Sequence, residues 1–341
     1  MRTTAVSLSG AIGVVCLIAA TTSQAQTQIP NPVEQSELIK RRQEMDQMLK
    51  DAAAKGGDAP ELYPDETKDV GPQSILKVKR RKTWIEAYVD SQLFYTSNMF
   101  LQEETPGAKL TDTSLFVDTV QLAFAPTPIV VKQGTIAPRV GFRYQWFMYG
   151  LGDSTRGLDR FNFDAQTLFA DVRYRVHGDW IFEGGFEATR LVGHTPDYDS
   201  YREVYSELLP RVGVTRQFSF SETKVLSLSY QANFHFSETA GNPQRGVNDR
   251  TDQILMAAYN HALTPHWVAQ PFYRMQYSYY TSAGGRSDVL HTIGLSCYYF
   301  FTPQISLRAF ASYDIKQSDG RLIPEYRKFD AGLGANLNIR F

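Results

Sequence analysis

The chain has 341 residues, with 35 basic and 36 acidic side chains and a formal net charge of −1, a balance that gives no electrostatic footprint for nucleic acid. It is 43% hydrophobic with only two cysteines, so a core is affordable while a disulfide framework is excluded. Aromatic residues reach 13%, with 19 Tyr and 21 Phe, which suits a protein that meets a water–hydrocarbon interface.

Residues 1–25 read as a secretory signal peptide. Arg2 supplies the positive start, Ala5–Ala20 the apolar stretch, and Ser23 and Ala25 the small residues of a cleavage site. The stretch is too short, and too broken by Ser and Gly, to span a bilayer. Residues 26–82 form a second region. "NPVEQSELIKRRQEMDQMLKDAAAKGG" predicts a helix over 33–54, capped by Asn31 or Ser36 and stopped at Gly56–Gly57. Its apolar stripe is thin: Leu38, Met45, Met48 and Leu49. A plug for a lumen, a docking helix, a short coiled coil and a plain solvated leader all fit it. "DAPELYPDETKDVGP" is a proline-rich acidic linker, and "KVKRRK" is a cationic run suited to anionic headgroups or to solvent.

From residue 83 onward the hydrophobic period becomes two and stays there. The predicted strands are Trp84–Tyr95, Leu115–Ala125, Arg139–Tyr149, Phe163–Val176, Trp180–Val192 and Val204–Phe218. They continue with Val225–Phe236, Gln253–Leu263, Trp267–Tyr280, Val289–Phe301, Ile305–Lys316 and Lys328–Phe341. Strands this long and this many argue against an ordinary sandwich. Tight turns ("HGDW", "SFSETK", "LTPHW", "FTPQ") alternate with longer polar loops such as "LQEETPGAKLTDT", "GHTPDYDSY" and "QSDGRLIPEYR". Short and long in alternation is the signature of an up-and-down barrel. "APTPIVVKQGTIAP" breaks the rule, and its Pro-Ile-Val-Val is read as an extension of a neighbouring strand.

Each strand also keeps one apolar face. Leu226, Leu228, Tyr230, Phe234 and Phe236 oppose Ser227, Ser229, Gln231, Asn233 and His235. Charges lie deep in the polar faces and need water or partners, which a wet lumen supplies. The apolar faces then meet lipid, and closure is required because an open edge in hydrocarbon leaves backbone groups unsatisfied. Two aromatic belts are expected. Trp84, Phe124, Trp180, Phe218, Trp267, Phe301 and Phe341 mark one, and Trp146, Phe161, Tyr205, Phe236, Tyr277 and Tyr279 the other.

The signal peptide, the even number of strands and the terminal "KFDAGLGANLNIRF" together make the chain similar to Gram-negative outer-membrane β-barrels. The resemblance covers residues 83–341 and implies an all-β, antiparallel barrel of about twelve strands, located in the outer membrane. It implies too that Leu337, Ile339 and Phe341 form the C-terminal signal read by the barrel-assembly machinery.

Parity assigns Glu86, Asp90, Arg143, Asp171, Arg173, Arg175, Glu183, Glu187, Arg211, Arg274, Arg308 and Asp314 to the pore lining, along with Glu207, Lys316 and Arg340. Glu183 and Glu187 are expected to meet the guanidiniums of "DVRYR" on the neighbouring strand. Either a charged constriction for small polar solutes or a salt-bridged wall fits these residues. Inward Phe147, Phe169, Phe272, Phe310 and Tyr298 would narrow the bore. A passive porin-like channel is the expected function, and a closed structural barrel is the alternative. A hydrolase is not expected. His235 and Ser237 resemble the His-x-Ser pair of outer-membrane phospholipase, yet parity turns them inward, away from lipid. His194, Asp197 and Asp199 in "GHTPDYDS" offer only a loop cluster, for an omptin-like protease or a hard cation. No phosphate-cradling loop or metal spacing appears, so no cofactor is expected. Cys297 reads as an inert buried or lipid-facing thiol.

Overall fold

The computed structural model describes residues 84–103, 110–151, 157–176, 179–195, 198–239, 246, 248–281, 285–320 and 324–341, without the side chains of 194–200. The signal peptide, the helix expected over 33–54 and the rest of 26–82 lie outside these residues. Twelve strands close into one antiparallel barrel, and a short thirteenth lies at one end. In chain order the first are β1 (Ile85–Thr96), β2 (Thr113–Phe124), the short β3 (Ile129–Val131), β4 (Gly134–Tyr149), β5 (Phe163–Val176) and β6 (Trp180–Thr195). There follow β7 (Tyr198–Ser221), β8 (Lys224–Thr239), β9 (Arg250–Ala262), β10 (Trp267–Tyr280), β11 (Ser287–Phe300), β12 (Ile305–Ser318) and β13 (Tyr326–Arg340).

Closure comes from strands at opposite ends of the sequence. β1 pairs with β2 on one side and with β13 on the other, while β2 pairs with β4. At the seam Trp84 donates its N–H to the Phe341 carbonyl at 2.7 Å, and Phe341 donates to Ile85 O at 2.9 Å. Every barrel strand is thereby hydrogen-bonded on both flanks, the condition hydrocarbon imposes on a spanning sheet. Among the described residues no helix is long and apolar enough to cross a membrane.

Alternation sets the two faces. On β10 Trp267, Tyr273, Tyr277 and Tyr279 point outward, while Gln270, Arg274, Gln276 and Ser278 are buried inside. Cys297 lies on the outer face of β11, between the inward Ser296 and Tyr298. The outer face carries few polar groups. Ser91 bonds Asp118 at 2.5 Å, and towards the long-loop end Tyr144 bonds Asp164 at 2.6 Å and Arg190 reaches Gln166 at 2.9 Å.

All twelve predicted strands are present, with three departures. "APTPIVVKQGTIAP" forms a small hairpin in which Ile129–Val131 pairs with a downward extension of β4. "GHTPDYDSY" is mostly strand, because β6 runs to Thr195 and β7 starts at Tyr198 and spans 24 residues. Register shifts between Leu191 and Thr195 mark a bulge there, which bends the strand and changes its facing.

The aromatic belts are partly as expected. At the short-turn end Trp84 lies 5.6 Å from Phe124, and Arg216 stacks 5.0 Å from Trp180 and 4.8 Å from Phe218. At the other end Trp146, Phe236, Tyr277 and Tyr279 are exposed outward. Tyr205 is not in that belt. It shares parity with the inward Glu207, is buried, and donates its hydroxyl to that carboxylate at 2.8 Å. Phe161 is drawn instead against Phe100, 5.1 Å away, beside the internal apolar cluster.

Candidate functional site

The inner face divides into two walls of different electrostatic character. On β4 to β7 the charges answer one another across strands. Arg139 donates to Asp171 at 3.1 Å, and Arg143 to Glu187 at 2.8 Å. Arg211 on β7 meets the same Glu187 at 3.0 Å and lies 3.9 Å from Asp171. Arg173 meets its direct cross-strand partner Glu183 at 2.8 Å. The ladder continues over the seam, where Arg340 bonds Glu86 at 2.7 Å and Arg139 lies 3.8 Å from that carboxylate. Phe169 lies between two of the guanidiniums, 5.2 Å from Arg139 and 5.8 Å from Arg143. Gly141, directly opposite, makes room for it: a Cβ there would fall 2.6 Å from the ring edge and 2.4 Å from the Leu122 carbonyl. Charge-assisted pairs of this kind hold strand register as well as neutralising the wall.

A second paired group sits nearer the long-loop end. His235 on β8 is clamped between Glu207 at 2.7 Å and Asp252 at 2.9 Å, and Arg250 donates to Asp252 at 3.2 Å. Gln276 reaches the same aspartate at 2.9 Å. On β11 to β13, Lys316 and Arg286 share Asp288 at 3.1 and 3.0 Å, and Lys328 bridges Asp314 and Asp330 at 3.4 and 2.9 Å.

The wall formed by β10 to β13 and β1 behaves differently lower down. Arg274 and Arg308 are each 1% exposed, and among the described residues none of their guanidinium nitrogens has a hydrogen-bond partner. The nearest carboxylate contact of Arg308 is Asp90 at 3.8 Å, beyond hydrogen-bond range, and Asp90 itself accepts from Gln92. Among the described residues no hydrogen bond of full geometry reaches the hydroxyls of Tyr88, Tyr298 and Ser296 or the amide of Asn338, although Tyr298 lies beside Arg308 and Ser296 and Tyr88 beside Asp90.

At the long-loop end an apolar cluster lies inside the barrel. Leu115 and Val117 of β2, Phe147 and Tyr149 of β4, Phe163 of β5 and Leu191 of β6 pack with Met99 and Leu158 from the connecting loops. Phe147 and Phe163 stack at 4.5 Å with an interplanar angle of 14°. The arrangement puts an apolar cluster beside the charged part of the inner face.

The residues that parity assigned to the lining all point inward. The structure joins Glu86, Arg143, Asp171, Glu187 and Arg211 in the first ladder, keeps Arg173 with Glu183, and leaves Arg274 and Arg308 apart from it. Glu187 meets Arg143 and Arg211 in place of the "DVRYR" guanidiniums, and Arg175 reaches Gln217 at 3.3 Å. Asp314 accepts from Thr292 at 2.7 Å. Arg139 was missed, although it shares parity with Arg143. The apolar cluster was missed too, because β2 sets Leu115 and Val117 inside against Phe116 and Asp118 outside and so lacks the usual contrast. His235 and Ser237 both lie on the inner face, where Ser237 Oγ reaches Asp249 at 3.4 Å while both ring nitrogens of His235 face carboxylates. The side chains of His194, Asp197 and Asp199 lie outside the described residues.

No family model matches the chain, and no curated protein matches its sequence. Among solved structures it is similar to an outer-membrane channel of the COG4313 group from Pseudomonas putida F1, at 13% identity and TM-score 0.49, covering 75% of this chain and 96% of the other. It is similar also to the β domain of the Bordetella autotransporter BrkA, at 14% identity and TM-score 0.41 over 75% of this chain and 99% of that one. A third likeness is the KdgM porin, at 10% identity and TM-score 0.36 over 72% and 97%.

Proposed function

We propose that the protein is an outer-membrane channel for the passive passage of small polar or charged solutes. One observation carries the reading: a closed barrel whose outer face is apolar and whose inner face bears ionisable groups on strands all around the wall. Such a distribution suits lipid outside and water inside. On this reading the chain is exported behind the signal peptide, its short turns face the periplasm, and Leu337, Ile339 and Phe341 address the assembly machinery. It is a conduit and does no bond chemistry.

The apolar cluster around Phe147 and Phe163 favours a second reading, a closed barrel with a structural role. Single-channel recording in planar bilayers separates the two. Conductance steps from the mature chain support an open pore. Steps only after deletion of residues 26–80 make the leader a plug. Silence from both, with folding verified by a heat-dependent gel shift, sinks the channel and leaves the closed barrel.

A further inference from the structure

The outer face carries a groove of about 440 Å³ across β2, β4, β5 and β6. Pairing puts Phe124, Val140, Ala170 and Phe186 in one row of outward side chains, with Val172 and Gly184 in the next row towards the short turns. Phe124 and Phe186 stand exposed at the two ends of the row, while Ala170 and Gly184 leave the middle low. A Cβ on Gly184 would meet nothing within 4 Å, so the floor opens there onto free space. Arg139 and Asp171 border the groove, yet their charged ends pair with each other on the inner side at 3.1 Å. The lining is apolar, so water finds few partners there, and on a lipid-facing wall hydrocarbon fills it.

The short-turn end of the groove leads to a cation. Four residues along β6 from Gly184 is Trp180, in the aromatic belt, and its partner on β7 is Arg216. The Arg216 guanidinium lies 5.0 Å from the Trp180 ring and 4.8 Å from that of Phe218, exposed on the outer face, and among the described residues it has no ion pair. The step from Gly184 to Trp180 is roughly 13 Å of strand, within the half-thickness of a hydrocarbon core of about 30 Å. We propose that the groove seats one acyl chain of an anionic phospholipid whose phosphate is held by Arg216. A zwitterionic lipid offers the groove the same hydrocarbon but brings its own cation to the phosphate, and so draws less on Arg216. The inference goes beyond the channel reading and needs only that the outer face meets lipid.

The test is native mass spectrometry of the purified, delipidated full chain in detergent, titrated with phosphatidylglycerol and with phosphatidylcholine of the same acyl chains. One phosphatidylglycerol is expected to bind saturably, about fivefold more tightly than phosphatidylcholine, as one interfacial cation implies. Gly184→Leu, whose side chain starts from open space and fills the groove, weakens both lipids by about tenfold. Arg216→Gln leaves the chain seated and brings the two lipids to equal affinity. Ala257→Leu, a similar enlargement on the outward face of β9 opposite Tyr273, changes neither. A heat-dependent gel shift checks folding, and if Gly184→Leu does not fold, the loss of preference in Arg216→Gln carries the test. Equal binding of the two lipids by the wild type, or unchanged binding in Gly184→Leu and Arg216→Gln, overturns the site. A dimer that Gly184→Leu converts to monomer with its bound lipid unchanged gives the groove to a second copy and overturns it too.

Discussion

The β4–β7 wall and the β10–β13–β1 wall line the same barrel, yet two arginines of the second, Arg274 and Arg308, sit differently from those of the first. On the first, Arg139, Arg143, Arg173 and Arg211 each have a carboxylate within 3.1 Å. On the second, Arg274 and Arg308 are more deeply buried and, among the described residues, have no hydrogen-bond partner. A buried charge with its partner holds register and is lost at high cost, whereas a buried charge without one lowers stability and persists for another reason. The difference divides a wall whose buried arginines are answered by carboxylates from one where two of them are not.

Truncation should therefore change sign from one wall to the other. Glu187→Leu removes the carboxylate that Arg143 and Arg211 share, and it should lower stability by roughly 3–5 kcal/mol, seen as a reduced urea midpoint in micelles. A midpoint within error of wild type would remove the ladder's structural role. Arg274→Met should act in the opposite direction, because an apolar side chain replaces an unanswered cation. A gain of roughly 1–3 kcal/mol is expected on the same scale, and a clear loss would mean that the guanidinium is satisfied in solution.

Gly141→Ala tests the ring inside the paired wall. Its methyl group would meet the Leu122 carbonyl at 2.4 Å and the Phe169 ring at 2.6 Å, so a loss of about 1–3 kcal/mol is expected in thermal unfolding. The smallest effect belongs to Arg173 and Glu183, whose carboxylate side is 32% exposed. A double-mutant cycle there should give a coupling of about 1 kcal/mol or less that fades with added salt. A larger, salt-insensitive coupling would place that pair with the buried ladder.

Much of this was legible beforehand because a strand exposes its facing through a period of two. Glu86, Arg143, Glu187 and Arg308 could be assigned inward from alternation alone, and the twelve strands follow from repetition of that pattern between turn residues. Where alternation fails, the sequence is silent. Tyr205 could have been placed by its parity with Glu207, and the bulge between Leu191 and Thr195 had only Gly193 to mark it. Met99 and Leu158 lie in connections whose period carries no facing at all.

What the sequence determined by itself is local: strand, turn, face and the order in which they come, each set by neighbours a few residues apart. The tertiary structure decided which charges meet. Glu86 pairs with Arg340 because β1 closes against β13, and Glu187 turns to Arg143 and Arg211, which lie on different strands and beyond simple cross-strand opposition. Pairing across a barrel depends on register and closure, which sum small offsets over every strand. No short window of sequence contains that sum, so the contrast between an answered and an unanswered arginine appears only once the ring is shut.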